Sequence, residues 1–153
     1  MKKILLALTL LTSPALANTT VEDWIESPGV PIAGDQIDLS DFKWRARALI
    51  VFAESEFDPS FIQQMEWLTT ETDALIDRDI LWVFDTNAET PSDLRRQFRP
   101  HGFTLILIGK DGEIKLRKAL PFDMREISRS IDKMPLRQLE VEERRGSQMI
   151  LDN

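Results

Sequence analysis

An α/β fold is expected for this chain, in the order β-α-β-α-β-β-α, with a four-stranded mixed sheet covered by helices on both faces. Three observations predict it. Short apolar runs at 48–53, 80–84 and 103–108 are too continuous for half-exposed strands, so they read as strands buried on both faces. Between and after them lie apolar stripes at spacings of three and four, the helical period. The segment Gly109-Lys110-Asp111-Gly112 then joins the third run to an alternating one, which is the mark of a hairpin.

Residues 1–17 stand apart from this body. Lys2 and Lys3 form a charged start, Ile4 to Leu11 is apolar, and Ala15-Leu16-Ala17 has the small-x-small pattern of a signal peptidase site. The expectation is a bacterial signal peptide cleaved after Ala17 and a periplasmic or secreted protein. The rival is an uncleaved anchor, for which the apolar run is short. No membrane anchor is expected after cleavage.

Residues 18–41 are rich in Pro, Gly, Ser and Asp and read as an N-terminal arm, pinned to the core by Trp24, Leu39, Phe42 and Trp44. Ala48 to Ala53 is the first core strand. Asp58-Pro59 follows as a helix cap with Pro at the first helical position. Phe61, Met65, Leu68, Thr72 and Leu75 form one stripe of a helix of about five turns. Ile80 to Phe84 is the second strand. Thr90, with Asp93 three residues on, is expected to cap a short helix. Its inner face is Leu94 and Phe98, with Arg95, Arg96 and Arg99 turned elsewhere. Phe103 to Ile108 is the third strand, and residues 113–117 form a half-exposed edge strand. Asp123 caps a last helix with Met124, Ile127, Ile131 and Met134 inside and Pro135 at its end. The core domain thus spans 42–135, and 136–153 is a charged C-terminal tail.

Composition closes off several functions. The net charge is −7, and with Lys2 and Lys3 removed 17 basic residues face 26 acidic ones, a net −9. Such a surface repels phosphate backbones, so no nucleic-acid partner is expected. There is no cysteine. Disulfides, thiolate zinc sites and iron–sulfur clusters are therefore excluded. No glycine-rich phosphate loop precedes a helix, and the apolar stripes are core, so no cofactor is implied.

The order and lengths of these elements resemble the thioredoxin fold. Residues 52–59 occupy the place of the Cys-x-x-Cys, and Phe103 stands where the cis-proline would be, so dithiol exchange does not carry over. More closely, the chain resembles the secreted bacterial family called domain of unknown function 4174. The segments that carry this are 39–44 (Leu-Ser-Asp-Phe-Lys-Trp), 94–100 (Leu-Arg-Arg-Gln-Phe-Arg-Pro), 102–112 and 134–138. The resemblance implies a thioredoxin-like fold and export. It implies no activity and no catalytic residues.

One corner is a candidate site. If the third strand runs antiparallel beside the first, Glu54, Glu56, Phe57 and Asp58 come near His101 and Phe103, and open α/β sheets bind ligands beyond their strand ends. In the plainest account Asp58 is a cap and the rest are solvated. A second makes Glu54, Glu56, Asp58 and Asp85 oxygen ligands for Ca²⁺ or Mg²⁺. A third pairs His101 with a carboxylate as acid and base. Arg95, Arg96 and Arg99 add a basic patch that could hold an anion or simply be a solvated face. The expectation taken forward is a binding module for a protein or peptide partner in the envelope, without catalytic residues. It would use the crevice around Phe57 and Phe103, or the edge strand at Ile114. The alternative is a metal- or small-ligand-binding enzyme built on the acidic corner.

Overall fold

A computed structural model describes residues 18–151; the expected signal peptide lies outside the described residues. Helices α1 (Val21–Glu26) and strand β1 (Ile32–Ala33) form the arm with a 3-10 turn at Leu39–Phe42. Strand β2 (Arg47–Phe52), helices α2 (Pro59–Thr70) and α3 (Thr72–Asp77), strand β3 (Ile80–Asp85) and helix α4 (Asp93–Phe98) follow. Strands β4 (Thr104–Ile108) and β5 (Ile114–Lys118) and helices α5 (Met124–Asp132) and α6 (Pro135–Leu151) complete the chain.

The sheet order is β1-β3-β2-β4-β5. β2 runs parallel to β3 and antiparallel to β4, and β4 and β5 form the hairpin. This is the thioredoxin-like arrangement, with five strands rather than four. The fifth is β1, which pairs with β3 through Ile32 and Ala33 alone. Two residues between Pro31 and Gly34 carry no readable periodicity, so the sequence could not announce it. The Gly34 N–H donates to the Phe84 carbonyl at 2.8 Å and extends that pairing.

Both faces of the central strands are covered, and this explains their unbroken apolarity. Leu49, Val51 and Ala53 face a cluster with Phe61, Leu68 and Leu75 of the first helical segment and Ile127 and Ile131 of α5. Ala48, Ile50 and Phe52 face the arm and α4, among Val21, Ile32, Phe42 and Leu94. Each Val, Leu, Ile or Phe side chain so buried contributes roughly 1.5–3 kcal/mol before ordering entropy is counted.

The expected long helix is two successive helices. Glu71 interrupts it, and the Thr72 hydroxyl donates back to the Thr69 carbonyl at 2.8 Å, a bond that competes with the helical ladder. The stripe survives the break because Leu68 and Leu75 stay on one side. Gly29 fits against α3 for want of a side chain: its φ is +81°, and a Cβ there would meet the Thr72 methyl at 2.5 Å.

Three other expectations are corrected. The cap of α4 is Ser92, not Thr90, because the Ser92 hydroxyl accepts the Arg95 N–H at 3.0 Å. Trp44 does not pin the arm; it is 64% exposed, while Trp24, Leu39 and Phe42 do pack inward. Residues 136–151 of the expected charged tail are helical. They continue as α6, started by Pro135 after α5 stops at Asp132, and they dock through Arg137, which is buried. No helix among the described residues is long and apolar enough to cross a membrane.

Candidate functional site

The carboxyl ends of β2 and β3 meet the start of β4, since Phe52 pairs with both Asp85 and Thr104. The loop 53–58 leaves β2 here, as the topology required. It is shaped by its own bonds. The Ser55 hydroxyl accepts the Phe57 N–H at 3.2 Å, and the Ser55 carbonyl accepts the Asp58 N–H at 3.2 Å. Asp58 then caps α2, accepting the Ser60 N–H at 2.8 Å and the Phe61 N–H at 3.3 Å. Turned back this way, the loop leaves Glu54, Glu56 and Phe57 in solvent, with Phe57 77% exposed.

His101 and Phe103 part company. His101 is exposed, whereas Phe103 is buried with Phe61 and Met124. Phe57 and Phe103 therefore do not line one apolar crevice; the Phe103 side is filled core. The carboxylates are also apart in their tasks. Asp58 is a cap, and Asp85 is held by groups of the chain itself. Among the described residues, no group of three or more His, Asp or Glu side chains is arranged to hold a metal ion.

What fills the space beyond the strands is Arg95. Only 8% exposed, it was expected to point away with Arg96 and Arg99. Its Nε donates to Asp85 Oδ1 at 3.0 Å, and its Nη2 donates to the Ala53 and Asp85 carbonyls at 2.6 and 2.8 Å. Glu54 approaches the remaining nitrogen at 3.6 Å. The guanidinium carbon lies 5.6 Å from the centre of the Phe52 ring. Asp85 is equally occupied: beyond Arg95 it accepts the Ser92 hydroxyl and the Asn87 N–H. A buried ion pair is tolerable when its lone pairs and protons are met, and here the Asp85 oxygens and the Arg95 Nε and Nη2 are hydrogen-bonded, while Nη1 has Glu54 nearby as a charge partner. The cleft left beside Asp85 holds about 130 Å³. That is well below the roughly 300–1,000 Å³ of a small-molecule site.

Residues 38–140 match a family described as domain of unknown function, DUF4174. The chain belongs to this family. No curated protein matches the sequence. Among solved structures, a thioredoxin from Thermus thermophilus is 21% identical, covers 57% of this chain and 72% of its own, and gives a TM-score of 0.42. A reduced 2-Cys peroxiredoxin from Plasmodium vivax is 16% identical, covers 74% of this chain and 91% of its own, and gives 0.49.

Within the DUF4174 domain the basic patch dissolves into three separate roles. Arg95 is the buried filler, Arg96 pairs with Asp93 one turn back, and Arg99 closes α4 in a left-handed conformation at φ 45°. The signal for Arg95 was an aspartate at the end of an otherwise apolar strand. Asp85, buried there, needs a cation, and Arg95 is one of the few within reach.

Proposed function

We propose that this chain is an exported interaction module on a thioredoxin-like scaffold, with no redox chemistry of its own. The partner is a protein or peptide that offers an apolar pocket with basic groups around it. It docks on loop 53–58, which presents the exposed Phe57 together with Glu54 and Glu56. One observation supports this above others. The crevice that could have held a small ligand is closed by Arg95, while on the loop leaving Ala53 an aromatic ring, Phe57, is 77% exposed, and that loop is held by internal hydrogen bonds. Rigid exposed aromatics are common anchors of protein interfaces. With no cysteine in the chain, thiolate attack is not available to it.

Crosslinking pulldown from a periplasmic extract tests the reading. Wild-type protein should enrich a partner that Phe57→Ala and Glu56→Lys both lose. Neither change should move the melting temperature much, since surface substitutions stay within about 0.5 kcal/mol. Enrichment that survives both variants would remove loop 53–58 from the proposal. Export is tested separately by intact mass. The purified mature protein should begin at Asn18, and retention of residues 1–17 would contradict cleavage after Ala17.

A further inference from the structure

At the pole opposite loop 53–58, where β2 begins, the sheet face that carries the arm holds a cavity of about 450 Å³. It exists because the chain presents small side chains there. Ala46 and Ala48 stand on the face that Ile50 and Phe52 fill further along. Ile108, paired with Ala48 across the sheet, completes the floor. Phe42 of the arm and Leu94 and Phe98 of α4 form the walls, and all of these except Phe98 are buried. The volume falls within the roughly 300–1,000 Å³ of small-molecule sites. Water over such a floor finds few partners, so an apolar body that displaces it gains affinity.

The rim selects the charge of the occupant. Asp35, Asp38, Asp93 and Asp111 line it. Two of them are matched, Asp93 by Arg96 and Asp111 by Lys115. Asp35 and Asp38 form no ion pair among the described residues. Asp38 accepts the Ser40 N–H and hydroxyl at 2.9 and 2.7 Å, both at Oδ1, and these bonds favour its charged form. Its Oδ2 is left to an outside donor. Lys43 is the one cation in the lining, and it forms no ion pair among the described residues. Its ammonium lies 5.8 Å from the centre of the Trp44 ring, and Trp44 is not part of the lining.

We propose that this cavity binds a small organic cation, its apolar body on Ala46, Ala48 and Ile108 and its ammonium head at Asp35 and Asp38. The site is separate from loop 53–58, so the outcome at one does not decide the other.

Calorimetric titration of the purified protein with phenethylamine, phenethyl alcohol, phenylpropionate and ethylamine decides it. Phenethylamine should bind most tightly, the alcohol more weakly, and phenylpropionate and ethylamine not at all. Asp35→Asn, which breaks no bond of the fold, should weaken phenethylamine about threefold, the size of a partly exposed ion pair, and leave the alcohol unchanged. Ala48→Leu fills the floor and should abolish binding of both, with the melting temperature reporting whether the variant folds. Gln97→Trp, on the exposed rim, blocks the same space without touching the core. Failure of phenethylamine to bind at millimolar concentration would overturn the proposal, as would binding that survives both blocking variants. Equal affinity for phenylpropionate would remove the two aspartates from it, and equal affinity for ethylamine the apolar floor. The rival occupant is a free α-ammonium at Asn18, which also lines the cavity. Phenethylamine binding confined to Nα-acetylated mature protein would give the site to that group instead.

Discussion

Arg95→Met should lower the free energy of unfolding by about 3–5 kcal/mol, the cost of leaving one member of a buried ion pair uncompensated. The substitution keeps apolar bulk and removes every donor. Asp85 would retain the Ser92 hydroxyl and the Asn87 N–H, and the Ala53 carbonyl would lose its Arg95 donor. The contact with Phe52 is the smaller loss, since a cation over a ring contributes about 0.5–2 kcal/mol. The unpaired carboxylate therefore dominates. Urea denaturation should show a lower midpoint at unchanged slope. Arg95→Lys should fall between, because one ammonium cannot span a carboxylate and two carbonyls as the planar fork does. Adding Asp85→Asn to Arg95→Met should recover part of the loss, as no bare charge is then buried. A loss under about 1 kcal/mol for Arg95→Met would mean that solvent reaches Asp85 freely, against its observed burial.

The same pair marks the border of what the residues announced. Strands β2, β3 and β4 were legible because burial on both faces leaves an unbroken apolar run, with polar residues (Arg47, Asp85 and Thr104) confined to the strand ends. The caps Asp58 and Asp123 were legible because their bonds are local, reaching two or three residues ahead. The turn at 109–112 was legible because Gly112 sits at φ 83°, where few other residues rest easily. Arg95 failed this test. A charged side chain on a short helix reads as solvated, and only the three-dimensional approach of α4 to Asp85 reverses that. Ser92 displaced Thr90 as the cap for the same reason: its hydroxyl serves both Arg95 and Asp85, an advantage no local rule can see. Trp44 failed in the other direction. Aromatic bulk predicts burial, but the bond from its N–H to Lys110 fixes the backbone so that the ring stays out.

At the candidate site the strand pairing forms as expected and the shared crevice does not. Loop 53–58 does sit beside the start of β4, as the antiparallel pairing demands. Yet the capping of α2 takes Asp58, and the core takes Phe103, so the shared crevice does not form. What remains is an outward surface of Glu54, Glu56, Phe57 and His101. Arg95 fixes the floor under that surface through Ala53, the residue from which the loop departs. On the proposed docking at loop 53–58, losing the guanidinium should therefore loosen the presentation of Phe57 as well as the fold.

Glu140 governs the other pole, and Glu140→Ala should cost about 3 kcal/mol by the same reasoning. It joins α6 to the sheet across 93 residues of sequence, accepting from Arg47 Nη1 and Nη2 at 3.2 and 3.1 Å. Lys110 shares it at 2.9 Å. With the carboxylate gone, the Arg78 carbonyl is the one hydrogen-bond acceptor left to the buried Arg47 guanidinium. Limited proteolysis should then cut first near Arg144 and Arg145, because α6 has lost its central staple while Arg137 and Arg144 still hold Asp77. The pH dependence carries the finer test. Burial is the largest single influence on the Glu140 carboxyl and pushes it up, but the hydrogen bonds and charges of Arg47 and Lys110 together prevail. The group is held below its ordinary value of 4.5. A carboxyl lowered in the folded state binds protons more readily when unfolded, so its stabilising effect is present above pH 4.5 and fades as pH falls through the folded value. Asp38 and Asp111 are lowered too, by bonds from Ser40 and Lys115, so the wild-type slope is shared. The difference between wild type and Glu140→Gln isolates the one group. That difference should be constant at neutral pH and shrink in acid below 4.5; a difference that stays flat throughout would show that Glu140 does not carry the joint.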